Sequence, residues 1–498
     1  MDLPEPMRRG ARAFVIAVCV LALGLAACGQ STPSLPMAGS VSPSASVAPI
    51  GTGTPLPQVD LPGEISADAI RQHLDALQQA ADDNDGLRTV GTPGYDASVE
   101  YAIRQFQSFG YHVTTPTFRM PTFQELPGSS VEVLGGGASF AAPDDFHAMI
   151  FSASGTLTAP VATVGYPNSA GGEGNRGCSQ EDWAAFPRGA IALTPSGPCY
   201  RRDETLLAQE AGAVALVVAY PEWKVGQARR PTLIQPGQIQ VPVLSAIGAV
   251  GDALAAAAEA GDEVRIHVQT VIQEATVRNV IAESQETADR VVMVGAHLDS
   301  VHDGPGINDN GSGSAAVLEV ARLLAGSEQA ATLRFALWAG EELGLYGSGA
   351  YVQGLSGTER QAIAAYLNLD MLGSPNGVPF VYRDSASASG SNTIASYLAA
   401  WLEANGEGAE FEDLGGSSDH YFFAQAGIRT GGIFSGATEI KTSAQASAYG
   451  GQRGEPMDAC YHLNCDTADN VDIDHVVLYA TDVAGAVLLI ARGDLLPD

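Results

Sequence analysis

The spacing of apolar residues changes several times along the chain, and each change marks a predicted element. Ile70, Leu74 and Leu77 recur at helical spacing and predict a helix over residues 65–83. Gly91, Thr92, Pro93 and Gly94 predict a turn, followed by a second helix over 95–109 that Gly110 stops. Residues 111–118 alternate as a strand does. From about 146 to 261 the texture differs, with short apolar runs at 161–164, 190–193, 213–219 and 241–244. A helix at 204–211 lies among them, and Gly and Pro are frequent. This pattern predicts a small β-rich domain inserted into a larger one. Runs at 264–271 and 277–283 read as neighbouring strands. From 291 onward strands (291–296, 333–339, 366–369) alternate with helices (313–324, 348–353 and one before 365). Continuous apolar strands between helices predict an α/β fold, a mostly parallel central sheet sandwiched by helices.

The N-terminus has its own pattern. Arg8, Arg9 and Arg12 precede an apolar stretch, 13–27, that is too short to span a bilayer comfortably, as in an export signal. It ends in Leu25-Ala26-Ala27-Cys28, which resembles the bacterial lipobox. That resemblance implies lipid on Cys28, export, and anchorage on the outer face of the cell membrane, where two acyl chains hold stably. The competing reading is an ordinary secretory signal or an uncleaved anchor. The start is either Met1 or Met7. Residues 29–62 are rich in Ser, Pro, Thr and Gly, have no apolar face, and read as a flexible tether.

Composition narrows the partners. The chain has 498 residues, enough for two or three domains, and carries 56 acidic against 25 basic side chains, a net charge of −31. That surface repels phosphate backbones, so no nucleic-acid partner is expected. Cys19 lies in the signal and Cys28 in the lipobox. The remaining four cysteines form two close pairs, and an oxidising compartment favours disulfides Cys178–Cys199 and Cys460–Cys465. The alternative, a cysteine zinc site, lacks the usual paired Cys-x-x-Cys spacing.

Three predicted strands run into side chains that bind metals. They lead to His297-Leu298-Asp299, to Glu341-Glu342 through Gly340, and to Asp370. Sites in α/β sheets form beyond the carboxyl ends of strands, so these groups should share one rim. A glycine-rich loop, 306–313, turns Asp309 inward, and the segment Cys460-Tyr461-His462 supplies a second imidazole. Imidazole and carboxylate donors without thiolate suit Zn²⁺. Two histidines with three carboxylates exceed the needs of one ion and fit two that share a carboxylate. One of the adjacent glutamates is then free to carry protons.

The ordered set of motifs resembles the secreted di-zinc aminopeptidases, whose fold is a phosphorylase/hydrolase-like α/β sandwich. The matching segments are Gly91 to Tyr95, Ala296 to Ser300, Pro305 to Gly313, Glu341 to Ser348, Asn368 to Met371, Ser418-Asp419-His420 and Cys460 to His462. The insert resembles a protease-associated domain through Gly177-Cys178, Phe186 to Leu193, Gly197 to Cys199 and Ala211 to Ala213. The expected organisation is a signal and lipobox at 1–28, a tether at 29–62, a catalytic zinc peptidase domain at 63–145 and 262–498, and an inserted domain at 146–261. The resemblance implies a metalloaminopeptidase that removes N-terminal residues from peptides with a free N-terminus, using two Zn²⁺ and a bridging water. It implies His297, Asp309 and Asp370 as ligands of one ion, and Glu342, His462 and the shared Asp309 as ligands of the other. Glu341 takes the part of general base, Tyr461 stabilises the oxyanion, and Asp299 orients His297. A monomer is expected.

His73, His112, His147, His267 and His475 lack any ligand context and read as surface or satisfied core residues, and His302 reads as loop. His420 reads equally as a contact near the cleft or as packing. Some relatives place a substrate-contacting arginine where this chain has Ser417. The rival functions are a zinc carboxypeptidase or glutaminyl cyclase on the same fold, and a non-enzymatic binding lipoprotein.

Overall fold

The computed structural model describes residues 59–496 apart from 168–175, 225, 286–287, 328, 384–388 and 414. The signal, Cys28 and most of the tether lie outside the described residues. One eight-stranded sheet forms the larger domain. Its strands are β1 (His112–Thr114), β2 (Val280–Glu283), β3 (Val291–His297), β4 (Thr332–Trp338), β5 (Ile363–Leu369), β6 (Phe380–Arg383), β7 (Glu410–Asp413) and β8 (Thr430–Phe434). Their order is β1-β2-β4-β3-β5-β8-β6-β7. The four central strands β4, β3, β5 and β8 are parallel, while β2 and β6 run antiparallel to their inner neighbours.

Side-chain alternation explains why both faces are covered. Val292, Val294 and Ala296 of β3 belong to the larger apolar core, whereas Val291 and Met293 point into a second one with Trp338, Tyr366 and Phe423. Helices α1 (Ala67–Asp82), α2 (Pro93–Ser108), α3 (Gly313–Leu324) and α6 (Ile473–Arg492) contribute to the first core, and α4 (Tyr346–Gly354) and α5 (His420–Gln425) to the second. The α1 periodicity, Ile70, Leu74 and Leu77, is buried as expected, with Ser66 capping its N-terminus. Helix α2 starts at Pro93, inside the expected turn, because Thr92 caps it and proline is preset for the first helical turn. Helix α6 is long and apolar enough to cross a membrane, yet 67% of its apolar window is buried inside the protein.

The insert has a second eight-stranded sheet. Four parallel strands, Gly155–Thr163, Ile191–Pro195, Ala215–Tyr220 and Val243–Ile247, are its centre. Ser130–Val133, Ser139–Ala141 and Glu263–Val268 extend it, so the sheet draws on residues outside the expected 146–261. Both disulfides expected from the cysteine pairing are present.

Two expectations are corrected. The runs at 264–271 and 277–283 are not neighbours. Glu263–Val268 joins the insert sheet, Val280–Glu283 joins the main sheet, and Thr270–Arg278 lies between them. That middle strand pairs antiparallel with Thr117–Glu125 in a two-stranded ribbon leading into and out of the insert. The single strand expected at 111–118 is thus two, β1 and the ribbon's first strand, with Pro116 between them.

Candidate active site

The groups named from the sequence meet at the carboxyl ends of the parallel strands. His297 ends β3, Glu341 and Glu342 follow β4, and Asp370 follows β5. Asp309 comes from the loop between β3 and α3, and His462 from the loop pinned by Cys460–Cys465. Asp309 faces both imidazoles, with Oδ1 3.2 Å from His297 Nε2 and Oδ2 3.1 Å from His462 Nε2. Asp370 Oδ1 lies 3.4 Å from His297 Nε2, and Glu342 Oε2 lies 3.1 Å from His462 Nε2. Glu341 stands slightly further away, 3.9 Å from His297 Nε2. His297, Asp309 and Asp370 form one cluster of mutually close donor atoms, Asp309, Glu342 and His462 another, and His297, Glu341 and Glu342 a third.

Local sequence explains the delivery of Asp309. Gly306 adopts φ +62°, and a Cβ there would lie 2.4 Å from the Asp309 carbonyl. Gly313 opens α3 so close to β5 that a Cβ would lie 2.4 Å from the Leu369 carbonyl. The Asp309–Asn310 peptide is cis. Asp466 accepts the backbone N–H groups of Asn308 and Asp309 at 2.7 and 3.0 Å, and Asn310 ties the loop to β5 by donating to Leu369 O at 2.9 Å. Arg88, wholly buried, donates to the carbonyls of Leu298, Pro305 and Gly306. Burial holds its guanidinium down to about 10, with the nearby acids opposing.

Asp370 is held by a relay. Ser418 Oγ donates to its Oδ2 at 2.6 Å, Asn368 Nδ2 donates to Ser418 at 2.8 Å, and Tyr366 Oη donates to Asn368 at 2.8 Å. The part expected for Asp299 differs in its atoms. His297 Nδ1 meets the backbone carbonyl of Asp299 at 3.0 Å, while the carboxylate Oδ1 is 3.8 Å away. That carboxylate instead accepts the N–H groups of Gly340 and Glu341, at 2.9 and 3.3 Å. A ring nitrogen facing a carbonyl must carry the proton, which leaves the His297 Nε2 lone pair directed at the carboxylates.

The electrostatics ask for cations. Burial raises Glu342 to about 7, and the nearby Asp309 carboxylate adds to it while His462 opposes. Burial, then the carboxylates of Glu342, Asp370 and Asp419, hold Glu341 well above the usual range against the pull of His297. Burial on its own would lower both histidines. The carboxylates outweigh it, raising His462 to about 10 and His297 well above its ordinary value. Glu342 Oε1 and Asp370 Oδ1 are buried without a hydrogen-bond partner. Buried acceptor oxygens left open beside two imidazoles fit divalent metal ions, and the oxygen and nitrogen donor set fits zinc.

Tyr461 is stacked on His462 with ring centres 3.8 Å apart. His462 takes a left-handed backbone conformation, φ +58°, which costs a non-glycine residue roughly 1–3 kcal/mol. His420 is buried, bonded at Nε2 to Gly415 O at 3.1 Å, beside Tyr382. His73 is a satisfied core residue between Tyr101 and Glu319. Sequence reasoning missed Arg88. One arginine between two helices gives no signal.

Comparison with known proteins gives the family. Residues 279–486 match the family described as Peptidase family M28, and residues 155–254 match the PA domain. An aminopeptidase of Pseudomonas aeruginosa is 35% identical over 484 residues, covering 94% of this chain and 90% of the relative. A probable lipoprotein aminopeptidase, LpqL, of Mycobacterium tuberculosis is 38% identical over 448 residues, covering 87% of each. The solved aminopeptidase from Aneurinibacillus sp. strain AM-1 superposes with a TM-score of 0.68 at 25% identity, covering 87% of this chain and 96% of its own.

Proposed function

The chain belongs to peptidase family M28, with a PA domain inserted, and on that premise we propose how its residues act as a zinc-dependent aminopeptidase. The observation that carries the reading is Asp309, one carboxylate spanning two imidazoles, flanked by Asp370 and Glu342 with open buried oxygens. His297, Asp309 and Asp370 would hold one zinc ion, and Asp309, Glu342 and His462 a second. Bound zinc supplies Lewis acidity to the attacking water and the scissile carbonyl. Glu341, outside both trios, takes a proton from that water and passes it to the leaving amine. Tyr461 presents its hydroxyl to the developing oxyanion. Asp370 and Glu342 attract the substrate's α-ammonium group, which accounts for release of single N-terminal residues.

Cys28 carries the anchor in this reading, on the outer face of the cell membrane, and the similarity to a relative named a probable lipoprotein aminopeptidase supports a lipid anchor. The test is metal analysis with an aminoacyl anilide assay. Two zinc ions per chain, chelator-sensitive release of the anilide, and no cleavage of an N-blocked analogue are expected. One ion per chain, or equal cleavage of the blocked peptide, rejects the scheme. Labelled palmitate on wild type but not on Cys28→Ala is the corresponding test of the anchor.

A further inference from the structure

An irregular segment of the insert, 229–234, reaches the catalytic rim. Arg229 Nε donates to the Tyr461 carbonyl at 2.8 Å, and its Nη2 lies 3.5 Å from the Ala459 carbonyl. Arg230 grips both carboxylate oxygens of Asp303, at 3.1 and 2.8 Å. Thr232 Oγ1 donates to Leu343 O at 3.3 Å, and Tyr346 Oη donates to Ile234 O at 3.1 Å. These attachments fall on the three loops that carry His462, Asp309 and Glu342, the second of them leading directly out of His297. One segment of the insert therefore touches the loops that carry Asp309, Glu342 and His462, but not that of Asp370.

Arg229 is fixed from its own side as well. Ser245 Oγ donates to its carbonyl at 2.5 Å, and its guanidinium lies 5.4 Å from the Trp223 ring centre, which in turn stacks on Tyr220 at 3.7 Å. On the other side of the contact, the loop has reason to need a hold. His462 sits in a left-handed conformation that persists only where its surroundings over-determine it. The Cys460–Cys465 bridge and the Asp458 carboxylate, accepting from Cys460 N at 2.8 Å, restrain the loop's ends. The carbonyl between Tyr461 and His462 is restrained by Arg229.

We propose that Arg229 is a positioning residue: through it the insert sets the orientation of the Tyr461–His462 loop, making the inserted domain part of the catalytic apparatus. The inference rests on the role given to Tyr461 above. The physical basis is that a small misplacement of a group acting on the transition state lowers kcat with little change in ground-state binding.

The test is a double-mutant cycle in the full zinc-loaded chain, with an aminoacyl anilide as substrate. Arg229→Ala should lower kcat roughly 10- to 100-fold with KM within about threefold of wild type. Zinc content should stay at the wild-type level. Arg229→Lys should recover part of the loss, and Arg265→Ala, on the insert's exposed sheet, should change nothing. Combined with Tyr461→Phe, Arg229→Ala should add little, since both act through one hydroxyl. Wild-type turnover by Arg229→Ala beside a crippled Tyr461→Phe overturns this inference alone, as do losses that multiply in full. Wild-type turnover by Tyr461→Phe overturns the reading of Tyr461 and this inference with it. Should Arg229→Ala not fold, Arg229→Gln, which also removes the guanidinium, enters the same cycle with the same outcomes.

Discussion

Replacing Asp299 separates two roles that the resemblance runs together. If its carboxylate oriented His297, removing it would weaken zinc binding about 10- to 100-fold, the usual cost of losing a ligand's hydrogen-bond partner. The geometry argues otherwise. His297 Nδ1 is served by the Asp299 main-chain carbonyl at 3.0 Å, which no side-chain substitution removes, and the carboxylate is 3.8 Å away. The carboxylate accepts from Gly340 and Glu341, so Asp299→Ala leaves two N–H groups without their acceptor, one of them that of Glu341, the residue proposed as general base. At about 1–3 kcal/mol for each orphaned group, the local penalty is about 2–6 kcal/mol. Relaxation of that strain moves Glu341, and kcat should fall about 100-fold. Asp299→Asn keeps an acceptor oxygen and loses the same charge, so it should retain most of the activity. The assay is kcat at saturating zinc for both variants, together with zinc affinity by chelator competition. A tenfold or greater loss of affinity in Asp299→Ala, with kcat intact at saturating zinc, would refute the argument.

Other substitutions probe the rest of the site. Glu341→Gln should lower kcat by about 10²–10⁴ while two zinc ions stay bound, as measured by metal analysis; loss of metal would make Glu341 a ligand instead. Gly313→Ala forces a methyl group against the Leu369 carbonyl and Asn310, so the chain should lose zinc and activity together, as read by metal content and anilide release. Burial holds His420 down to about 4, against 6.5 for a free imidazole, so the unfolded chain takes up a proton that the folded one refuses. Stability from this group is therefore lost as pH falls, by about 2 kcal/mol between pH 7 and 5. His420→Gln should flatten that part of the urea-midpoint profile, and an unchanged slope would exclude His420 as its source.

Much of the site was legible because its chemistry sits where the pattern breaks. His297, Glu341 and Asp370 each follow an apolar strand, and a strand that runs into charge announces a sheet rim. The ribbon was harder to see. Its first strand contains Pro121, which argues against a central strand, and it is tolerated because both strands of a two-stranded ribbon are edges. The split between β2 and the insert's last strand was hidden for a related reason. Residues 263–283 form one long strand-like run, and nothing local says that it serves three sheets in turn. Arg88 and Arg229 left no trace because each works by donating to main-chain carbonyls, and carbonyls look alike in every sequence.

The paired ribbon also bears on how the chain closes on itself. Thr114 finds Ile281 in the main sheet only after the whole insert lies between them. Closing a disordered loop of that length would cost about 4–5 kcal/mol. An insert that folds first brings its two stems side by side and removes most of that cost. Emerging from a ribosome or a translocation channel, the inserted domain would then act as the template on which the edge of the host is completed.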